Sequence, residues 1–363
     1  MILYRLNLFV EGGPVFGSGT EKGNDLSRQN DISSSAGKEA FLGVDVGSVS
    51  TNVVVLDTSG AVLASEYLRT MGQPIRAVQD GVRAVGKKLG GNVAIHGAGA
   101  TGSARYLTGV VVGADLVKNE ITSHAVAASH IIPGVRTVLE IGGQDSKLIL
   151  LRDGVVTDFA MNTVCAAGTG SFLDHQSARL GIPVEDFGDL ALSAKEGAQI
   201  AGRCSVFAES DMIHKQQIGY PIEEIVLGLC RSLVRNYLNN LAKGKRLEPP
   251  IVFQGGVAAN IGMKRAFEDA LGVEVNIPPY HDVMGAIGVA LLTMDEAMYI
   301  EKSSFRGFSL SEFEYSTSSF NCSGCSNNCE IVKIKRGREV LACWGGRCGK
   351  WELEFDSPAG RPR

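Results

Sequence analysis

The sequence predicts an α/β fold of two similar halves around a cleft, followed by a small cysteine-rich piece. A strand, glycine turn and strand pattern in residues 41–57 recurs in residues 136–161, which indicates an internal repeat. Five of the eight cysteines crowd into residues 322–348, near the end of the chain. A length of 363 residues leaves room for two or three domains.

The composition excludes several classes of function. The chain is 44% hydrophobic and 20% charged, which is ordinary for a globular protein. A formal net charge of −4 gives no electrostatic reason to expect nucleic acid or a membrane surface as a partner. No apolar run approaches a membrane span, and the N-terminal segment lacks the pattern of a signal peptide, so a cytoplasmic location is expected. Residues 1–38 are expected to be a disordered lead-in, or to precede the natural start.

The first half is predicted to occupy residues 39–136. Residues 41–57, FLGVDVGSVSTNVVVLD, alternate and are rich in β-branched side chains, which predicts two strands joined by a Gly-Ser turn. Residues 60–70 continue as a third strand. Residues 74–90 repeat apolar side chains at helical spacing and end at a glycine, and residues 93–102 predict a strand that enters a glycine turn.

The second half is predicted to occupy residues 137–300. It opens with a strand, a glycine-rich turn that carries an acid, and two further strands. Residues 249–272 predict a buried strand, a Gly-Gly turn and an amphipathic helix. Residues 282–298 predict a last apolar helix with two glycines suited to close helix packing. The Ser-rich residues 301–320 are typical of a linker.

The piece after the linker, residues 321–356, is predicted to be a cysteine-rich metal-binding module. Without a secretory signal, such clustering indicates metal ligands rather than disulfides. Five thiols exceed the four of a tetrahedral zinc site, so zinc and a second [4Fe–4S] cluster both remain open. The candidate ligands are Cys322, Cys325, Cys329, Cys343 and Cys348.

Two further expectations concern this tail. Residues 305–356 are expected to fold separately and to depend on the metal, because a linker precedes the dense thiols. A β-hairpin is predicted around Arg336-Gly337, and its basic face is expected to be solvated rather than a docking surface.

The two repeated hairpins can form a nucleotide site if they face each other across the cleft. Their backbone N–H groups would then surround a polyphosphate. Asp45 and Asp145 would lie on the cleft floor and place Mg²⁺ and the attacking water, because Mg²⁺ prefers oxygen ligands. The predicted nucleotide ligands are Gly47, Ser48, Thr51, Asn52, Gly142, Gly143, Gln144, Ser146, Lys147, Gly255 and Gly256. One such hairpin alone is more often structural, whereas three glycine elements in this order favour ATP.

Three of these stretches resemble known motifs. GVDVGSVSTNVVVLD, EIGGQDSK and FQGGVAAN resemble the phosphate-1, phosphate-2 and adenosine motifs of the acetate kinase, sugar kinase, Hsp70 and actin superfamily. Together with KNEITSHA, NTVCAAGTGSFLDHQ and GRCSVFAESD they are similar to the activator ATPases of 2-hydroxyacyl-CoA dehydratases and ATP-dependent benzoyl-CoA reductases. The resemblance covers about residues 40–298. It implies actin/Hsp70-like (ribonuclease H-like) halves, and it does not extend to the tail, which resembles tails of longer activases.

Cys165 and Cys204 each precede a predicted helix. Buried, inert thiols are the alternative interpretation, and it is the one expected for Cys230 on the apolar side of its helix. Helix N-termini favour an anionic group, and a [4Fe–4S] cluster takes four cysteines, so two per chain would require a symmetric homodimer. The resemblance implies the same arrangement, with one cluster bridging two subunits.

The predicted function is therefore that of an ATPase coupled to electron transfer in anaerobic metabolism. The resemblance implies a partner that accepts low-potential electrons: a 2-hydroxyacyl-CoA dehydratase, a benzoyl-CoA-type reductase or a double-cubane-cluster protein. It also implies ferredoxin or flavodoxin as the electron donor. The competing hypotheses are a small-molecule kinase of the same superfamily and a non-catalytic ATP-sensing module.

Overall fold

The computed structural model describes residues 38–90, 93–162, 165–310, 313–348 and 350–351. The first half is a five-stranded sheet in the order β3-β2-β1-β4-β5, in which β1, β2 and β3 are antiparallel and β4 and β5 run parallel to β1. Its strands are β1 (Lys38–Val46), β2 (Ser50–Asp57), β3 (Val62–Arg69), β4 (Val93–Thr101) and β5 (Leu116–Val117). Its helices are α1 (Pro74–Leu89), α2 (Arg105–Val112) and α3 (Glu120–Ile131).

The second half repeats this topology in the order β8-β7-β6-β9-β10. Its strands are β6 (Thr137–Ile141), β7 (Ser146–Arg152), β8 (Val155–Asn162), β9 (Ile251–Gln254) and β10 (Val275–Asn276). Its helices are α4 (Gly170–Leu180), α5 (Phe187–Ser193), α6 (Ser205–Gln217), α7 (Ile222–Leu241), α8 (Ile261–Leu271) and α9 (Met284–Asp295). The same strand order in both sheets confirms the prediction of two similar α/β halves.

Helices α3 and α9 lie between the two sheets. Val54 of β2 and Ile149 of β7 belong to the same buried core as Ile287 of α9. A Cβ atom added to Gly288 would lie 1.7 Å from the carbonyl oxygen of Ser123, so the backbones of α9 and α3 are in contact. This confirms the close packing expected from the glycines of the last helix. Although α9 comes late in the chain, it packs against β1, β2 and β4 of the first sheet.

The outer faces of the sheets are covered as well. Val53 and Val55 of β2 face a core shared with α1 and α2, while the intervening Val54 faces α9, because side chains alternate along a strand. Helices α4 to α8 cover the outer face of the second sheet. Sheets covered on both faces need strands that are apolar throughout, which explains the continuous apolar runs of the sequence.

The tail forms a three-stranded antiparallel sheet of β11 (Tyr315–Asn321), β12 (Glu330–Arg336) and β13 (Glu339–Trp344). The turn between β12 and β13 contains Gly337 at φ +59°, which confirms the predicted hairpin. β11 begins at Tyr315, so the C-terminal end of the segment predicted to be a linker, residues 301–320, lies in a strand. This Ser-rich segment forms a strand by pairing with β12, and its composition alone does not predict a strand.

The tail sheet is anchored on the first half. Ile334 and Ala342 share a buried core with Val82 of α1. The side-chain amide of Gln79 donates hydrogen bonds of 2.8 Å to the carbonyls of Leu310 and Phe313. These contacts argue against a separately folding module in residues 305–356, and the domain boundaries remain predictions.

Two predictions from the sequence concern the N-terminal segment and membrane-spanning helices. The predicted lead-in, residues 1–38, lies outside the described residues apart from Lys38. Within the described part of the chain no helix is long and apolar enough to cross a membrane.

Candidate active site and cysteine pair

The two phosphate turns face each other across a cleft of about 830 Å³ between the halves. A cleft of this size is typical of small-molecule and cofactor sites. The predicted nucleotide and catalytic residues that line it are Asp45, Gly47, Ser48, Asn52, Gly142, Gly143, Gln144, Asp145, Lys147, Gly255 and Gly256.

Two predicted phosphate ligands, Thr51 and Ser146, do not line the cleft. Both side chains are fully buried, and the hydroxyl of Thr51 is hydrogen-bonded to that of Thr70 at 3.0 Å. Strand alternation is the reason: Asn52 and Lys147, the next residues along β2 and β7, face the cleft instead. Neither hydroxyl is therefore placed to contact a phosphate.

The adenosine-type turn after β9 is shaped by Gly255. Its φ is +92°, and an added Cβ would lie 2.4 Å from the carbonyl oxygen of Ile141, so a side chain is excluded on both counts. His281 contacts both backbone groups of Gly255. The His281 carbonyl accepts from the Gly255 N–H at 2.7 Å, and its Nδ1 lies 3.2 Å from the Gly255 carbonyl. The backbone of this turn therefore faces the cleft with no side chain at Gly255 in the way.

The floor of the cleft carries a buried lysine surrounded by carboxylates. Lys147 Nζ lies 2.8 Å from Asp145, 3.0 Å from Glu120 and 3.1 Å from Glu140, and its side chain is 3% exposed. Lys147 donates hydrogen bonds to Asp145 and Glu140, and its contact with Glu120 is an ion pair. Its predicted phosphate role remains a prediction.

The cluster also links the two halves. Glu120 is the first residue of α3 in the first half, whereas Lys147 lies on β7 in the second. Asn119 fixes the start of α3 by accepting the N–H of Thr122 at 2.9 Å, the usual role of an N-cap asparagine. The ion pair between Glu120 and Lys147 therefore crosses the floor of the cleft at a well-defined helix start.

Burial sets the protonation of the acids. Desolvation, reinforced by Glu120, raises the pKa of Asp45 to about 7. Desolvation also raises the pKa of Glu140 to about 8, although Lys147 opposes this shift. Burial alone would lower the pKa of Lys147, but its three carboxylate neighbours raise it well above its ordinary value. The cleft floor therefore binds protons near neutral pH before any ligand arrives.

His124 and Gln254 complete the floor. Burial, followed by the nearby charge of Lys147, lowers the pKa of His124 to about 3, so the ring is neutral. Its Nδ1 lies 2.9 Å from Nε2 of Gln254, which donates to it. Neither residue was predicted, and neither were Glu120, Glu140 or His281. An acid inside the apolar strand that precedes Gly142 was the available signal for Glu140.

The second phosphate turn is bonded directly to the segment that carries Cys165. The N–H groups of Gly170 and Ser171 donate to the carbonyls of Gly142 and Gly143, each at 2.8 Å. The Ser171 hydroxyl donates to the same Gly143 carbonyl at 2.5 Å. The first turn of α4 and the phosphate turn are therefore one hydrogen-bonded unit.

The two candidate cluster cysteines lie outside the nucleotide cleft and are half-buried. Cys165 caps a one-turn 3₁₀ helix (Ala166–Gly168) that leads into α4, and Cys204 is the N-cap of α6. The side-chain amide of Asn162 holds the Cys165 backbone, accepting its N–H at 3.0 Å and donating to its carbonyl at 2.8 Å. Both thiols therefore lie at helix starts, as predicted.

Cys230 differs from these two. It is fully buried on α7, and burial raises the pKa of its thiol to about 12. This confirms that Cys230 belongs to the core.

The tail cysteines are only partly gathered. Cys322 and Cys343 are buried together with Cys329 packed against them, while Cys325 and Cys348 are exposed. No group of three or more His, Cys, Asp or Glu side chains in the described ranges is placed to hold a metal ion. Zinc or a second cluster in the tail therefore remains a prediction.

The thiol of Cys322 accepts hydrogen bonds from the Gly324 N–H at 3.4 Å and from the Trp351 indole N–H at 3.1 Å. These two donors lower the pKa of Cys322, the Gly324 contact more than the Trp351 contact.

Comparison with protein families matches residues 42–293 to the model of the BadF/BadG/BcrA/BcrD ATPase family. The match covers both halves and ends before the tail sheet. Among characterised relatives, the (R)-2-hydroxyglutaryl-CoA dehydratase activating ATPase of Acidaminococcus fermentans is 35% identical over 261 residues, which is 70% of this chain and 97% of that protein. The 2-hydroxyisocaproyl-CoA dehydratase activator of Clostridioides difficile is 33% identical over 266 residues, covering 72% of this chain and 97% of that protein.

The solved structures agree with the sequence relatives. The structure of the activator of 2-hydroxyisocaproyl-CoA dehydratase from Clostridium difficile, with bound ADPNP, superposes with a TM-score of 0.65 at 31% identity. The superposition covers 72% of this chain and 96% of that one. The predicted actin/Hsp70-like architecture around an ATP cleft is thereby confirmed.

Proposed function

The chain belongs to the BadF/BadG/BcrA/BcrD ATPase family, and we propose that it is an ATP-hydrolysing iron–sulfur activator that delivers low-potential electrons to a partner metalloenzyme. Three relatives are named as activators of CoA dehydratases, and a fourth is named as a benzoyl-CoA reductase subunit. An acceptor of one of these classes, or a double-cubane-cluster protein, fits the proposal, with ferredoxin or flavodoxin as donor.

ATP hydrolysis takes place at the cleft floor. Asp145 is one-third exposed and oriented by Lys147, so it can hold an attacking water or a metal-bound water toward the γ-phosphate. Asp45 faces it from the first half. Mg²⁺ bound between these carboxylates would neutralise charge that develops on the phosphate oxygens. Gly142, Gly143 and Gly255 present backbone without side chains in the way.

The observation that carries the proposal is the bonding of the phosphate turn to α4. Because Gly143 accepts both the N–H and the hydroxyl of Ser171, a shift of this turn on ATP binding moves the start of α4. Cys165 precedes α4 by the one-turn 3₁₀ helix Ala166–Gly168. A change at the γ-phosphate therefore reaches one thiol through a few short backbone contacts, which is what coupling of hydrolysis to electron transfer requires.

The cysteine pair suits an anionic cluster. Cys165 and Cys204 are half-buried and stand at helix starts, where the free N–H groups favour negative charge. A [4Fe–4S] cluster bound there would supply one-electron reduction at low potential. Each chain offers two such thiols, so a homodimer with the site on its two-fold axis would complete the set of four.

The test is anaerobic reconstitution with iron and sulfide of the wild type, Cys165→Ser, Cys204→Ser and Cys230→Ser. We expect each of the first two substitutions to remove ~2 irons per chain and to weaken the dimer in light scattering. Cys230→Ser is the matched control and should keep the iron of the wild type. Full iron in Cys165→Ser would exclude this site.

A second measurement addresses the reaction. Reduced protein should activate a 2-hydroxyacyl-CoA dehydratase only with ATP, and not with the non-hydrolysable analogue ADPNP. Phosphorylation of a small molecule by an iron-free preparation would instead favour the kinase hypothesis.

A further inference from the structure

Helix α7 holds the loop that precedes Cys204 through a row of side-chain hydrogen bonds. The hydroxyl of Ser232 donates to the carbonyl of Ala201 at 2.5 Å. One turn further on, the guanidinium of Arg235 donates to the carbonyl of Ile200. The loop is thus fastened to a helix that runs through the core of the second half.

Asn236 extends this row and also reaches the other cysteine. Its Nδ2 donates to the carbonyl of Gly202 at 2.8 Å and to that of Arg203 at 3.2 Å. The same nitrogen lies 3.9 Å from Sγ of Cys165, within the range of a weak N–H···S bond. The backbone beyond Cys165 abuts the amide as well, since a Cβ on Gly168 would lie 2.7 Å from Oδ1 of Asn236.

The amide is fixed in this orientation. Asn236 is 2% exposed, and its Oδ1 accepts a hydrogen bond from Nδ2 of Asn240 at 2.9 Å, which assigns the nitrogen to the side of the cysteine loops. A buried amide retains its bonds because an unsatisfied donor costs more than a formed bond contributes. Of Ser232, Arg235 and Asn236, Asn236 is the one that contacts both loops.

We propose that Asn236 is a positioning residue that ties the Cys165 and Cys204 loops to α7 and sets the spacing of the two thiols. The inference deepens the proposed function, on which its redox part rests. Its positional part concerns the protein's own loops and holds whether or not iron is bound.

The positional test is pulse alkylation of the metal-free, reduced full-length protein with iodoacetamide, followed by peptide mass spectrometry that resolves each cysteine. Asn236→Leu keeps approximately the side-chain volume and removes the donors. Loss of a hydrogen bond to each loop is expected to raise the alkylation rates of Cys165 and Cys204 by about fivefold or more. Cys230, which is fully buried, should stay protected and report an intact core.

Two controls sharpen the result. Asn239→Leu makes the same change at an exposed position three residues further along α7 and should leave both rates at the wild-type value. Ser232→Ala should raise the rate at Cys204 alone, because within the described ranges the Ser232 hydroxyl bonds only to the Cys204 loop. Wild-type rates at both cysteines in Asn236→Leu would overturn the proposal, and a rise at Cys204 alone would overturn the claim that one residue serves both loops.

A milder variant decides the matter if Cys230 becomes reactive in Asn236→Leu, which would mean that the core has opened. Asn236→Ser keeps a hydroxyl but cannot reach both loops, and it should raise both rates with Cys230 protected. Unchanged rates in this variant would reject the proposal.

The redox part has its own readout. An N–H donated to a ligating sulfur stabilises the reduced, more negative state, so its removal lowers the reduction potential. After reconstitution we expect Asn236→Leu to have a more negative potential than Asn239→Leu. Equal reduction potentials in the two variants would overturn the redox role of Asn236 and leave only its role in positioning the metal-free loops. Failure of the wild type to bind iron would count against the proposed function alone.

Discussion

The two phosphate turns share one scaffold but differ in charge and connection. In the first half Asp45 pairs across the hairpin with Asn52, and in the second half Glu140 pairs with Lys147 at the same place relative to the turn. By this register the counterpart of Asp45 is Glu140 rather than Asp145, which lies within the second turn. The first turn therefore has a buried acid with no ion-pair partner among the described residues, whereas the second turn is flanked by an ion cluster and is itself bonded to the start of α4.

The repeat therefore supplies a framework common to both halves, while the hydrogen-bonded connection to the segment of Cys165 lies in the second half. Both turns expose backbone to the cleft, so both can hold phosphates. Gly142 and Gly143 give a signal from the nucleotide a direct hydrogen-bonded route toward the segment that carries Cys165.

The largest expected effect is on hydrolysis. Asp145→Asn removes the carboxylate that faces the γ-phosphate site, and kcat for ATP should fall by roughly 10²–10⁴ with the fold retained. Asp153→Asn, in the exposed turn between β7 and β8, is the control and should hydrolyse ATP like the wild type. A near-normal kcat in Asp145→Asn at saturating Mg²⁺ would remove Asp145 from the mechanism.

Lys147 and Asn52 should differ strongly in their effect on stability. Lys147→Met removes the cation that contacts Asp145, Glu120 and Glu140, and urea unfolding at pH 7 should show a loss of about 3–5 kcal/mol. Asn52→Leu, at the matching position of the first hairpin, should cost less than about 1 kcal/mol, because its Oδ1 has no hydrogen-bond partner among the residues that the structure describes. Equal losses would mean that the ion cluster does not distinguish the two turns.

The contribution of Asp45 to the free energy of unfolding should change with pH in the opposite direction to that of an ion-paired acid. Its pKa in the folded protein, about 7, exceeds the ordinary value of 3.8, so the folded state keeps a proton that the unfolded state releases between these values. The free energy of unfolding therefore falls as pH rises from 4 to 7. Asp45→Asn should gain roughly 2 kcal/mol or more over the wild type at pH 8 and little at pH 4.

Unfolding of the ligand-free protein across this pH range provides the check. A variant that is equally stabilised at both pH values would show that the effect comes from packing and not from the charge of Asp45.

The smallest effects are expected for the two hydroxyls that face away from the cleft. Thr51→Val and Ser146→Ala should change KM for ATP by less than about twofold, since neither side chain lines the site. Thr51→Val should cost about 1 kcal/mol of stability through its bond to Thr70. A tenfold rise of KM in either variant would restore the predicted phosphate contact.

These two hydroxyls also show what the sequence could predict of the site. The glycine turns and the apolar alternation predict the two hairpins, and the hairpins form most of the cleft wall. Whether Thr51 or Asn52 faces the nucleotide depends on strand register and on which sheet face α9 covers. Both are properties of the assembled fold, so two adjacent polar residues could not be separated beforehand.

Contacts between side chains of the two halves could not be predicted from the sequence for a related reason. Glu120 lies on α3, distant along the chain from Lys147, and only the packing of α3 between the sheets brings them within 3.0 Å. The tail shows the same limit. Its hairpin could be predicted from local alternation, whereas its docking on α1 depends on contacts between Ile334 and a distant core.

In the proposed mechanism the state of the nucleotide reaches the cysteine pair through the second phosphate turn. This coupling can be tested by the rate at which an iron chelator removes iron from reconstituted protein with ADP or with ADPNP bound. We expect a severalfold difference between the two states in the wild type, reduced in Ser171→Ala, which lacks the hydroxyl bond to Gly143. Equal release rates in the wild type, with both nucleotides shown to be bound, would exclude this route.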